Sequence, residues 1–195
     1  MLAHTPARAD TKRPEIERAA LELFVTRGLK GTTIREIATR AGVAEGTLYR
    51  HWRSKRELAR FVFQGCAARV AGELRQAAAG EADPSAKLTA AVRALFRCAR
   101  EGILLYEVLL VPPGRDIEDF VEMASSPATV LAELFANLTP ELDPRLAAEC
   151  VIGAVNRVAA YRRLGALPRR LSEYEHDIAA MVAKITSTEP VRSSA

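Results

Sequence analysis

The residues of this 195-residue chain whose types and spacing promise chemistry point to hydrogen bonding rather than covalent reaction. From Thr32 to Leu58 it reads T-T-I-R-E-I-A-T-R-A-G-V-A-E-G-T-L-Y-R-H-W-R-S-K-R-E-L. Gly46, Thr47, Tyr49 and His51 form an outward set of small or hydrogen-bonding groups around Leu48, the inward anchor of a short helix. Such a set, with Gly46 permitting close approach of the backbone, suits the base edges and phosphates of DNA. Covalent and metal chemistry find no comparable support. His4, His51 and His176 lie far apart, and Cys66, Cys98 and Cys150 are odd in number, widely spaced and without nearby histidines. The cysteines read as buried thiols. No Gly-rich phosphate loop, metal-ligand spacing or nucleophile motif appears, so no enzyme, cofactor or metal is expected. Glu118, Asp119 and Glu122 read as a solvated helix face.

Short helices must position that set. Ile16, Ala19, Ala20, Leu23 and Phe24 recur at helical spacing, with Gly28 as a stop. Thr33 and Glu36 form a capping-box pattern, after which Ile34, Ile37, Ala38 and Ala41 place one apolar stripe on a helix ended by Gly42. Val43 plugs the turn, Ala44 to His51 forms the next helix, and Ser54 with Glu57 opens a long helix through Leu58, Phe61, Val62 and Leu74. Two short helices around a Gly-containing turn make the helix-turn-helix plan, whose second helix enters the major groove.

Downstream punctuation remains helical. Asp83-Pro84, Ser126-Pro127 and Asp143-Pro144 each set a capping residue before a proline suited to the first helical turn. Apolar helical segments are expected near 86–111, 117–124 and 128–138, and no series of alternating strands is seen, so the fold class is all-α. Net charge divides unevenly: +6 over residues 1–60 against −2 over the remainder. A basic module joined to one with another task is the implication. Charges interrupt every candidate membrane span and the start lacks the apolar run of a secretory signal, so a cytoplasmic protein is expected.

The 32–58 run resembles the N-terminal signature of the TetR family. There a threonine opens helix 2, I-A precedes A-G-V, a G-T-L-Y recognition helix ends in an aromatic pair, and S-K-x-x-L starts helix 4. The resemblance covers about residues 12–60 and implies an all-α transcription regulator, most commonly a repressor, released from a palindromic double-stranded DNA operator by a small molecule. It implies that Thr33 and the amides at the start of helix 2 touch phosphate, that Gly46 and Thr47 face bases, and that Tyr49, His51 and Lys55 hold the DNA backbone. Two positions depart from the pattern, since Ala44 stands where many members carry serine and Glu45 where the residue is often basic or polar. Glu45, included among the DNA-facing residues, either accepts from a cytosine amino group or is a helix-start charge favoured by the macrodipole. Trp52, where phenylalanine is usual, is expected to be a larger core anchor with a tethered indole N–H.

The domain plan that follows is a basic arm over 1–11, a DNA-binding domain over 12–58, a helical ligand-binding and dimerisation domain over 59–187, and a tail over 188–195. By resemblance, Phe96, Arg97, Arg100, Leu104, Tyr106, Phe120, Met123 and Phe135 are candidates to line a pocket for a largely apolar effector, with Glu107 and Asn156 as further polar candidates. The stretch from Arg145 to Leu164 is apolar on almost all sides and must be buried on two fronts. Leu171, Tyr174, Ile178, Met181 and Ile185 follow with the spacing of a bundle seam. Val151, Val155, Val158, Tyr174, Ile178 and Met181 are accordingly assigned to a homodimer interface, the alternative being that these helices dock only on their own core. An enzyme bearing a helix-turn-helix, and a ligand-binding protein that never engages DNA, are the rival functions.

Overall fold

The computed structural model describes residues 12–101, 126–138 and 141–187, and these fall into two units, 12–66 and 67–187. All regular structure among them is helical.

In the first unit, α1 (Arg13–Arg27) carries Pro14 in its first turn, where a missing N–H costs nothing, and buries Ile16, Ala19, Ala20, Leu23 and Phe24. Gly28 ends it with its N–H donating to the Phe24 carbonyl. The link to α2 (Ile34–Ala41) is drawn tight: a Cβ at Gly31 would lie 2.3 Å from the Arg27 carbonyl oxygen, which restricts the position to glycine. The buried Thr32 hydroxyl sits 3.1 Å and 2.9 Å from the carbonyls of Leu23 and Gly28, so its burial leaves nothing unpaired. At the end of α2, Gly42 adopts φ 66°, ψ 38°, the left-handed cap, and its N–H meets the Ala38 and Thr39 carbonyls. There follow α3 (Glu45–His51) and α4 (Lys55–Ala79), a continuous helix whose first half belongs to this unit. Ile37, Ala38 and Leu48 close the corner between α2 and α3, and Phe24 meets Phe63 of α4 with ring centres 5.9 Å apart.

The second unit comprises the rest of α4 with α5 (Pro84–Glu101), α6 (Pro127–Ala136), α7 (Pro144–Arg163) and α8 (Leu171–Ser187). The three Pro-preceding residues cap as their types dictate. Asp83 accepts from the Ala86 amide at 2.8 Å, Ser126 from Thr129 at 3.1 Å, and Asp143 from Arg145 and Leu146 at 2.8 and 3.0 Å. α7 packs on α5, α6 and α8, and α5 also packs on α6 and α8. Their shared core includes Val70, Leu74, Leu88, Leu95, Phe96, Leu131, Val155 and Val182. Arg100 of α5 pairs with Glu175 of α8, and Ser85 lies 3.0 Å from Thr186 across the same helix pair. The expected segment at 117–124, the 102–111 part of its predecessor, and both termini lie outside the described residues. No helix among the described residues is long and apolar enough to cross a membrane.

Candidate nucleic-acid interface

A seven-residue α3 has too few internal hydrogen bonds to stand alone, so its orientation is set by what grips its inner side. Leu48 is buried, and at 100° per residue the direction opposite it falls between Gly46 and Arg50, with Tyr49 and Thr47 on the flanks. Glu45, Gly46, Tyr49 and Arg50 are exposed, Tyr49 to 55%, and Thr47 is half-buried. A Cβ built on Gly46 would meet nothing within 4 Å. Three of the four residues expected to face outward, Gly46, Thr47 and Tyr49, are therefore brought together on one side, with an open gap at Gly46, whereas His51 turns toward the inner side. Arg50, which is not among the residues assigned to DNA from the sequence, belongs to that outward side as well. Its Nη2 donates to Thr47 Oγ1 at 3.2 Å. Counting 100° steps from Leu48 would have found it.

His51 lies on the other flank. It is half-buried, its Nε2 is enclosed without a partner among the described residues, and its ring centre is 5.3 Å from that of Trp52. Trp52 is buried as expected, but its indole N–H has no hydrogen bond among the described residues. The ring is held instead by Phe61, at 5.8 Å between centres, and by the Arg13 guanidinium 5.6 Å above it. Arg13 is itself aligned by Glu17, at 2.8 Å, so the start of α1 is tied to the end of α3.

Two assigned phosphate contacts are engaged within the chain. Lys55 Nζ donates to the carbonyls of Leu29 and Thr32, each at 2.6 Å, which leaves one of its three N–H groups for an outside acceptor. The Thr33 hydroxyl donates to Glu36 Oε2 at 2.8 Å and accepts from the Glu36 amide at 3.2 Å, and the Thr33 amide donates to the same Oε2 at 2.8 Å. This is the full capping box. It leaves the amides of Ile34 and Arg35, which have no acceptor among the described residues, as the first-turn donors of α2. The Thr33 backbone N–H, its hydroxyl and the nearby Arg27 hold the Glu36 carboxyl below the usual carboxylate range. Arg27 to Glu36, at 2.7 Å, and Arg40 to Glu22 brace α1 against α2.

Residues 16–61 match the model of the bacterial regulatory proteins of the tetR family. That match spans the helix-turn-helix segment, from α1 into the start of α4. The transcriptional repressor KstR2 of Mycolicibacterium smegmatis is 34% identical over 96 residues, 49% of this chain, and the chain spans 47% of that relative's length. A putative fatty acid metabolism regulator of Clostridium perfringens superposes with a TM-score of 0.76 at 21% identity, over 90% of this chain and all of that one. FadR of Bacillus subtilis in complex with stearoyl-CoA gives 0.73 at 18%, over 88% of this chain and 98% of that one. These two likenesses show the fold alone, an all-α architecture shared along almost the whole chain.

Of the remaining assigned residues, those that are described sit in the second unit. Phe96 and Phe135 are closed in its core, Arg97 is exposed, and Arg100 is exposed and paired with Glu175. Leu104, Tyr106, Phe120 and Met123 lie outside the described residues, as does Glu107. Asn156, 9% exposed, carries an Oδ1 with no partner among the described residues. Of the residues assigned to a dimer interface, Val151 and Val155 are buried in the chain's own core, Val155 completely, and so present no surface to a second copy. Val158, Tyr174 and Ile178 are half-buried against that core, and Met181 is exposed. The apolar side chains that do face outward from α7 and α8 are Leu146, Tyr161, Met181 and Ile185, followed by Leu164 just past α7. Cys66 is buried as expected, whereas Cys98 is half-exposed and Cys150 exposed, because position 150 falls on the outer side of α7.

Proposed function

We propose that this chain is a ligand-responsive, DNA-binding transcription regulator, a repressor released from a palindromic operator when a small molecule binds its C-terminal domain. The observation that carries the reading is α3: a helix anchored by Leu48 that turns Gly46, Thr47, Tyr49 and Arg50 outward from a module of net positive charge. A side chain set of donors around an open glycine matches major-groove recognition, and the amides of Ile34 and Arg35 with the third N–H of Lys55 supply phosphate contacts. It works by binding rather than by catalysis, in the cytoplasm, where its DNA is.

The DNA-binding domain is 12–58 and the ligand-binding and dimerisation domain 59–187. Leu146, Tyr161, Leu164, Met181 and Ile185 form the surface that a second copy covers, because an apolar stripe left on a helix pair needs a partner. The effector is largely apolar, as stearoyl-CoA is along its acyl chain, and Asn156 gives it a polar contact inside an otherwise apolar core. Because α4 contributes to both units, a ligand that biases its position changes DNA affinity without touching DNA, and the operator must weaken the ligand by the same factor.

Selection by the full chain from a pool of random-sequence DNA duplexes tests this reading. An enriched inverted repeat supports it. A pool that stays random, or enrichment of a site without two-fold symmetry, rejects it.

A further inference from the structure

We infer that Arg50 reads a guanine in each operator half-site and is the main determinant of sequence specificity; this rests on the regulator reading above. Arg50 stands next to the direction opposite Leu48, on the part of α3 that enters furthest into a groove. Helical side chains lean toward the helix N-terminus, and the bond from Arg50 Nη2 to Thr47 Oγ1, 3.2 Å, shows that this one runs back by almost a turn. The guanidinium is thereby carried from the sixth residue of the helix to the level of Gly46 and Thr47, where base edges are read. The space over Gly46 is open to receive it, since a Cβ there would touch nothing within 4 Å.

The chemistry of the group selects the base. A guanidinium offers only donors, in a planar fork, and guanine is the base that presents two adjacent acceptors, O6 and N7, in the major groove. Adenine presents a donor beside N7, and the exposed edges of cytosine and thymine lack a matching pair of acceptors. Thr47 then has two tasks: its hydroxyl fixes the approach of Arg50, and its own base contact is secondary. Arg50 is exposed and makes no ion pair among the described residues, so its charge is available to DNA.

The test uses the full chain and the duplex it enriches from a random pool. Arg50→Ala, carried through the same selection, should lose one guanine preference per half-site and keep the others, and Arg50→Lys should recover affinity but not that preference. Replacing the affected guanine by 7-deazaguanine removes N7 and preserves pairing. It should weaken the wild type by roughly 5- to 150-fold and leave Arg50→Ala unchanged. If Arg50→Ala selects the same guanines as strongly, or weakens all sequences alike with a shallower salt dependence, Arg50 holds phosphate or nothing and the inference is wrong. A wild type that enriches no sequence rejects the regulator reading and the inference with it, and requires no variant to see.

Discussion

The ammonium of Lys55 donates to the carbonyl oxygen of Thr32 at 2.6 Å, binding the first residue of α4 to the residue that precedes the α2 cap. With the parallel bond to Leu29, this places a positive charge beside the N-terminal end of α2 and gives two loop carbonyls a charged donor. Lys55→Ala should consequently lower stability as well as DNA affinity. Hydrogen bonds to a charged group contribute about 1.5–3 kcal/mol each, so a fall of several degrees in Tm is expected. The slope of log affinity against log salt should become shallower by about one per chain. An unchanged Tm contradicts the clamp, and an unchanged slope contradicts the phosphate contact.

Tyr49 and Thr47 lie on opposite flanks of the outward side of α3, and their substitutions should differ in kind. Tyr49→Phe removes a hydroxyl proposed to meet phosphate and should weaken binding to all sequences alike. Thr47→Ala removes both a base-facing group and the acceptor that aligns Arg50, so it should alter base preference. Competition between the enriched site and unrelated duplex at one salt concentration separates the two. A Tyr49→Phe protein with changed preference would reverse the assignment.

The acid side of the stability curve carries a signature of the α2 cap. The Glu36 pKa in the folded chain lies below its unfolded value near 4.5, chiefly because the Thr33 amide and hydroxyl donate to its charged form. The folded state then binds fewer protons than the unfolded one through that window. Stability from this group is complete above the unfolded value and is lost as pH falls through the folded one. Glu36→Gln keeps an acceptor but cannot titrate, so its Tm should fall less than that of the wild type between pH 5 and pH 3. Parallel curves would mean that the box does not persist in solution.

Burial separates two substitutions in α7 and α8 that composition alone would treat alike. Met181, 46% exposed, is part of the proposed surface for a second copy. Met181→Glu should leave Tm close to that of the isolated fold, shift sedimentation toward a monomer and reduce operator affinity. Val155→Arg instead places a charge in a closed core, at a cost of several kcal/mol, and should unfold the second unit. A Met181→Glu protein that sediments as a dimer would move the interface elsewhere.

Asn156 Oδ1 has no hydrogen-bond partner among the described residues, and a buried acceptor left so costs about 1–3 kcal/mol. Asn156→Leu, close in volume, should raise Tm without ligand, by thermal denaturation followed by circular dichroism. A drop of several degrees would show that the amide is satisfied in solution.

The helix plan was legible because its signals are local. Thr33 with Glu36, Asp83, Ser126 and Asp143 each cap within three residues, and Gly28 and Gly42 stop α1 and α2 where their periodic stripes end. Relations that bring distant residues together were not legible. Nothing in the types of Lys55 and Leu29 predicts a bond across 26 positions, and the capture of Trp52 by Arg13 depends on how α1 meets α4. The sides of α7 were harder to read for another reason. A stretch apolar all round does not say which stripe serves the core, so Val151 and Val155 were placed outward while Leu146 and Leu164, the latter 76% exposed, were not. Arg50 is missing from the sequence assignment because its place opposite Leu48 shows only when the register is counted from that buried anchor.

Hydroxyl-radical footprinting of the full chain on its enriched duplex tests most directly whether two copies present paired recognition helices to DNA. The expected result is two protected half-sites related by a two-fold axis, about 34–36 Å or one helical turn apart from centre to centre, both released together when the effector is added. Protection of a single half-site, or of a stretch without inverted symmetry, would contradict it.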